Sequence, residues 1–367
     1  MINKLKIRNF KCFEELDVEL SNLNVFAGIN SMGKSSVIQA ILLLRQSYEM
    51  GTISSGLHLN GSLIGLGTGF DLMNRDSNED IIRIGVLAEN KELFWNYIYN
   101  KDSDYQELKE TNFDFSDEFE INIFKPSFCY ISAERIGPQK FYKQSHHDIY
   151  QKNQVGTKGE LFADYLAKRG LEDKVENSNV LYPDTSELLL YQTEQWLSVI
   201  SPGIHIHPKE YQEAGIVGIG YNVYNSEYTP MNVGFGISYV APIIVSLLKA
   251  KSGDLVIIEN PEAHLHPKGQ RKMGELIAKA ASGGAQIVLE THSDHILNGI
   301  RLSVKNKTIS ANDVRLNYFF QRMESNSILG EKVIHEKCSP AILDDGSLSD
   351  WPDGFFDEWD KALDELF

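Results

Sequence analysis

Cysteine is scarce in this chain: three in 367 residues, Cys12, Cys129 and Cys338, with no paired motif among them. So few scattered thiols support neither a disulfide framework nor a cysteine-built zinc site, and reduced, structural cysteines of a cytoplasmic protein are expected. Long apolar runs are missing too. A membrane-spanning helix needs about 18 consecutive apolar residues, and the longest candidate, around Val240 to Leu248, is too short. The opening MINKLKIRNF lacks the apolar stretch of a signal peptide, so neither export nor a membrane partner is expected. No sustained heptad, repeat or low-complexity tract is present, which argues against a long coiled coil.

Net positive charge is also lacking. The balance is −16, so the chain is no general binder of polyanions. Much of the acid lies in the closing stretch DDGSLSDWPDGFFDEWDKALDELF, so the body is less acidic than the total suggests. Lys4, Lys6, Arg8 and Lys11 nearly alternate at the start and read as a solvated strand edge rather than a nucleic-acid contact. The aromatics of the closing stretch, Trp351, Phe355 and Phe356, are expected to pack on the core.

The apolar share, 42%, is that of an ordinary globular protein, and the length permits two domains or one α/β domain with a large insertion. Leu5 to Phe10, Leu16 to Leu20 and Leu23 to Ala27 read as strands, followed by a loop and the helix SVIQAILLLRQSYEM. Residues 57 to 98 suggest an antiparallel meander, and residues 100 to 120 an exposed polar loop. FCYIS (128–132) reads as a buried strand, 140 to 200 as polar with helical patches such as GELFADYLAKRG, and GIHIHP and GIVGIGYNVYN as strands flanking a turn. From Ser238 helices alternate with the strands DLVIIE and AQIVLE, which predicts a parallel sheet.

Four segments carry chemistry. Gly28-Ile-Asn-Ser-Met-Gly33-Lys34-Ser35 fits G-x-x-x-x-G-K-[ST] between a buried strand and a helix. Glycines let the backbone amides curl toward phosphate, the helix directs its positive end there, Lys34 reaches the β- and γ-phosphates, and Ser35 offers a hydroxyl to Mg²⁺. Asn30, Gly33, Lys34, Ser35 and Ser36 are the expected ATP contacts. Second, Asp254-Leu-Val-Ile-Ile-Glu259-Asn260-Pro261-Glu262 is an apolar strand ending in a carboxylate, placing Glu259 to hold Mg²⁺ together with Ser35. Third, Glu290-Thr-His292-Ser-Asp294 follows another buried strand. Fourth, Asn232-Val-Gly234-Phe-Gly236-Ile-Ser238 puts two glycines and a serine at a helix start, an anion site. His264 and His266 lie two apart on a loop, weak spacing for a metal pair, and are read as a subunit contact. Arg135 and Gln139 follow a buried strand and either read the nucleotide or couple the insertion to it; a surface role with no link to nucleotide is equally open.

With these motifs in order, the chain resembles the RecF/SMC/OLD branch of ABC ATPases. ENPEAHLHPKGQ, ETHSDHILNGIR and the WPDGFFDE segment (Trp351 to Glu358) are similar to a bacterial family of small OLD-like ATPases with a C-terminal domain of unknown function. The resemblance implies an α/β fold: an ABC-type P-loop ATPase head of mixed sheet with an antiparallel meander and helices on both faces, carrying an inserted α+β subdomain. The expected division is an N-terminal lobe 1–139, an insertion 140–228, a C-terminal lobe 229–320 and an acidic tail 321–367. It implies Glu259 as the acid on the metal, His292 as the switch residue at the γ-phosphate, His266 at the subunit contact, and Gly234, Gly236 and Ser238 as a signature-like segment meeting the ATP of a second copy. ABC ATPases usually carry a glutamate after the metal acid as general base; here stands Asn260, so Glu259 or Glu262 takes over or hydrolysis is slow. About 75 residues follow His292, too few for a Toprim nuclease.

The expected activity is ATP hydrolysis with Mg²⁺ in a homodimer that controls a separately encoded effector or nuclease, in antiphage defence or DNA repair, with nucleic acid as a candidate partner. A weakly hydrolysing regulatory scaffold is the alternative, and a transporter subunit a third reading, disfavoured by the missing LSGGQ-type string.

Overall fold

The computed structural model describes residues 1–366 other than 90, 115–120, 224–225 and 327–329. The chain forms two compact units: residues 1–125, 315–341 and 349–367 make the first, and 126–314 with 342–348 the second. The expected insertion, 140–228, lies within the second unit, and of the expected tail 321–341 and 349–367 belong to the first unit and 342–348 to the second.

The first unit opens with β1 (Ile2–Phe10), β2 (Phe13–Glu19) and β3 (Leu23–Gly28), then α1 (Lys34–Glu49). β4 (Gly56–His58), the short α2 (Gly69–Leu72), β5 (Ile81–Ala88), β6 (Lys91–Ile98) and β7 (Tyr105–Thr111) follow. An antiparallel sheet of order β2-β1-β5-β6-β7-β4 results. β1 alternates inward Leu5 and Ile7 with outward cations, as one-sided burial requires. Those cations are neutralised across the sheet: Lys4 by Asp17 and Glu19, Lys6 by Glu92, Arg8 by Glu79. β1 is paired on both sides, with β2 and β5, so these cations lie on the outward face of an interior strand and not at the expected strand edge. β7 corrects the expected loop over 100–114, while 115–120 lie outside the described residues. α1 is buried along most of its length against β1, β3 and β4.

The second unit begins with β8 (Cys129–Ile131), β9 (Tyr142–Lys143), α3 (His146–Tyr150), α4 (Phe162–Arg169), α5 (Leu189–Ile200), β10 (Ile204–Tyr211), β11 (Ile216–Val223) and β12 (Ser226–Tyr228). It continues with α6 (Phe235–Lys249), β13 (Leu255–Glu259), α7 (Pro267–Ser282), β14 (Gln286–Glu290) and α8 (Asp294–Lys305). β14, β13 and β8 lie side by side, both pairs parallel. β13 and β14 bury Leu255 to Ile258 and Gln286 to Glu290, the near-continuous burial typical of a covered parallel sheet. β10 and β11 form an antiparallel pair whose other edge takes β9 and β12, and α4 and α5 pack on α6.

The chain then returns to the first unit with β15 (Val314–Asn326), β16 (Gly330–Cys338) and α9 (Glu358–Leu366). β15 lies between β3 and β16. Phe319 packs its ring 5.6 Å from Phe26 and 6.3 Å from Phe13. The buried part of β15, Val314–Phe319, falls within the expected C-terminal lobe, while the residues from 321 onward supply the rest of β15, β16 and α9. Phe355 is fully buried with its ring 5.3 Å from Tyr318, and the Tyr318 hydroxyl donates to the Asp353 carbonyl. Trp351 is partly exposed.

Candidate functional site

In the first unit β3 delivers the chain to Gly28 at φ 140°, and Gly33, at φ 100°, starts α1. Both values lie where side chains are rarely tolerated. Space decides the matter as well: a Cβ at Gly28 would run into the Phe319 carbonyl oxygen, and one at Gly33 into the Phe13 ring. Lys34 is the first residue of α1 and only 3% exposed. Its Nζ donates to the carbonyls of Gly28 (2.8 Å) and Ile29 (2.9 Å), so the ammonium folds back across the loop. Gly33 gives the helix no side-chain cap. Asn30 and Ser35 are exposed and Ser36 is half-buried. An ammonium, helix-start amides and an exposed hydroxyl are the donors that a triphosphate and its magnesium call for, so the residues present fit the group.

In the second unit β13 and β14 run parallel in register, Glu259 opposite Glu290. Their following loops emerge together at the strands' carboxyl ends, where ligands bind in such sheets. Asn260 extends the pairing by donating its N–H to the Glu290 carbonyl (2.8 Å). Its φ of 46° is left-handed, which asparagine tolerates better than most. Its side-chain Oδ1 is buried with no hydrogen-bond partner among the described residues. The Glu259 carboxylate accepts the Ala133 N–H at 2.9 Å and the Tyr130 hydroxyl. Burial pushes this carboxyl above its ordinary range, opposed by those hydrogen bonds and by Arg135. Burial, with Glu259 beside it, likewise raises Tyr130, which stays a neutral donor. Glu262 reaches across to the neighbouring loop. Its Oε2 accepts the Thr291 hydroxyl (2.8 Å) and its Oε1 the His292 N–H (2.7 Å). Thus Glu259, Asn260, Glu262 and His292 are brought together within one unit, with the His292 side chain exposed.

Arg135 is the residue whose place the sequence reading missed. Expected at the surface, it is 3% exposed. Its guanidinium donates to the carbonyls of Ser132 (2.8 Å), Glu259 (2.7 Å) and Asn260 (2.6 Å), and lies over the Tyr239 ring. It shapes the loop that presents Glu259 rather than reading a ligand. The one signal was an arginine four residues after a buried strand.

Gly234 caps α6, and with Asn232, Met231 and Phe235 it is exposed. Ser238 is not: it is 2% exposed and its hydroxyl faces the phenols of Tyr142 and Tyr221. The expected contact of Ser238 with a second copy's nucleotide is corrected accordingly, since the first turn of α6 points that side chain into the core. The Phe235 and Tyr239 rings meet His264 at 5.9 and 4.6 Å. His266 caps α7, its Nδ1 accepting from the Lys268 N–H.

A family described as an AAA ATPase domain matches residues 1–199, more than half of the chain. The chain belongs to this AAA ATPase family. In the ATPase a second AAA domain family, named for the AbiEii toxin of a type IV TA system, matches residues 217–298, and a protein of unknown function, DUF3696, matches 309–366. No curated protein matches in sequence. Among solved structures, an SmcHead bound to the C-winged helix domain of ScpA is similar at 14% identity and TM-score 0.51, covering 91% of this chain and 98% of that one. An Smc head domain with an extended coiled coil, bound to the C-terminal domain of ScpA derived from Pyrococcus furiosus, is similar at 11% identity and TM-score 0.50, covering 100% and 99%. The ATPase therefore has the α/β fold of an ABC-type, SMC-like P-loop head. No helix among its described residues is long and apolar enough to cross a membrane.

Proposed function

We propose that this ATPase hydrolyses ATP with Mg²⁺, that two copies close around the nucleotide, and that closure licenses a separately encoded partner, an effector or nuclease. The observation that carries the reading is the phosphate loop: Lys34 is already folded over it, and its glycines are the residues the local packing demands. Lys34 and Ser35 take the triphosphate and the metal, and Glu259 is the carboxylate that motif order assigns to the metal. Magnesium, when bound, supplies positive charge against the phosphates. Asn260 offers a buried, unsatisfied amide oxygen that orients a water but cannot take its proton at neutral pH. The exposed apolar pair Met231 and Phe235, beside Gly234 and the His264 loop, supplies a face for a second copy. The similar SMC heads hold a domain of ScpA, which supports a protein partner for this head as well. Antiphage defence or DNA repair is the proposed setting.

Light scattering with Mg²⁺, with and without ATP, on the wild type and Glu259→Gln tests the dimer. A shift from one chain to two with ATP supports it; a chain that binds ATP and stays single removes the signature-like role of Gly234 and Gly236. A weakly hydrolysing scaffold is the second reading, favoured by Asn260 and by Glu262 having both oxygens engaged. ATP binding without turnover would decide for it.

A further inference from the structure

The second unit contains a cleft that the ATPase reading leaves unused. β9 pairs with β11 only at Ile216 and Val217, and β12 only at Tyr221 to Val223. Both strands lie on the same edge of β11, so among the described residues no strand covers that edge from Gly218 to Gly220. A cavity of about 300 Å³ sits there, with Gly218, Ile219 and Gly220 in its lining. Glycine within a strand often marks close approach by another group, and here a Cβ at Gly220 would run into the His207 ring. Three aromatic residues line the same cavity: Phe141, Tyr211 and Tyr228, exposed by 41%, 45% and 41%. Phe141 and Tyr211 meet edge to face at 5.6 Å. Lys140 and Lys209 bring positive charge to the rim, Lys209 paired with Glu227.

We infer that this cleft takes an unpaired nucleotide of a single-stranded nucleic acid. Exposed rings around a cavity stack on a base face, and lysines at the rim meet its phosphate. The uncovered edge is three residues long, roughly 10 Å at a strand's rise, long enough for the hydrogen-bonding edge of a base. An overall acidic chain restricts nucleic-acid contact to such a local site rather than a broad electrostatic surface. The inference does not rest on ATP turnover, and its test contains no ATP.

The experiment is fluorescence anisotropy of the full chain with labelled 20-nucleotide dT and rU strands and with a labelled duplex. Single strands bind and the duplex binds far more weakly. Tyr211→Ala and Tyr228→Ala each weaken binding roughly 5- to 150-fold, the range for loss of one stacking ring. Tyr211→Phe and Tyr228→Phe bind as wild type, because the ring face and not the hydroxyl is used; these also separate lost stacking from a folding defect, monitored by melting. With one phosphate neutralised the log–log salt slope is about −0.7. Absence of single-strand binding overturns the inference, as does binding indifferent to the alanine changes. Binding abolished by Lys34→Ala places the strand at the phosphate loop and overturns it too. Displacement by free AMP or UMP with no gain from chain length assigns the cleft to mononucleotides and overturns the single-strand source.

Discussion

Changing Glu262 to glutamine separates two roles for that side chain. As a clamp, it ties the loop after β13 to the loop after β14 through Thr291 and the His292 amide. Each such hydrogen bond to a charged group is worth about 1.5–3 kcal/mol net. Glutamine keeps its carbonyl oxygen for the His292 N–H and turns an NH₂ toward Thr291 Oγ1, which already accepts from the Ser293 N–H at 3.1 Å. One bond is therefore lost or weakened, costing about 1–3 kcal/mol, whereas alanine loses both, about 3–6 kcal/mol. As a general base, by contrast, Glu262 would contribute roughly 10²- to 10⁴-fold to turnover with little effect on stability. Urea unfolding alongside steady-state phosphate release reads both quantities. The clamp predicts graded destabilisation, glutamine less than alanine, and turnover within roughly tenfold of wild type for glutamine, since loop position and not proton transfer is affected. A fall of 10²-fold or more in Glu262→Gln with unchanged unfolding would refute the clamp.

Lys34→Ala removes the charge over the phosphate loop and is expected to lower turnover at least 10²-fold, read by phosphate release, with fluorescent-ATP binding lost in parallel. Gly28→Ala places a side chain against the Phe319 carbonyl at a φ of 140° and costs more than about 2 kcal/mol, visible as a lower melting temperature together with lost ATP binding. Arg135→Met strips the Ser132, Glu259 and Asn260 carbonyls of their shared donor; destabilisation of about 2–4 kcal/mol and reduced turnover are expected, with the wild-type unfolding midpoint as the contrary result. Phe355→Ala, at a buried ring, costs about 3–5 kcal/mol in urea unfolding, while Trp359→Ala, 69% exposed, stays within about 0.5 kcal/mol.

The phosphate loop was legible because its physics is local: strand, glycines, lysine and helix follow one another in the chain. The parallel strands β13 and β14 were legible for the same reason, as short apolar runs between helices. β7, YQELKET, was not, because its pattern shows little apolar alternation and its main buried side chain is the polar Gln106. The hairpin of β15 and β16 was hidden by its polar far end, whose sequence reads as tail although Phe319 is core. Arg135 could not be placed because its partners are carbonyls more than a hundred residues away, Glu259 and Asn260. The engagement of Glu262 depended likewise on the register of β13 against β14. Ser238 was misjudged because a glycine-rich helix start looks the same whether its first turn faces outward or inward.

The close approach of Gly28 to the Phe319 backbone bears on how the protein is made. The two residues are 319 − 28 = 291 positions apart, and at roughly 5–20 residues per second the ribosome needs about 15–60 s to supply the second after the first. Throughout that interval the nascent loop lacks the strand on which it rests. On the proposed reading, nucleotide affinity arises late in synthesis, and an incomplete chain released early does not sequester nucleotide.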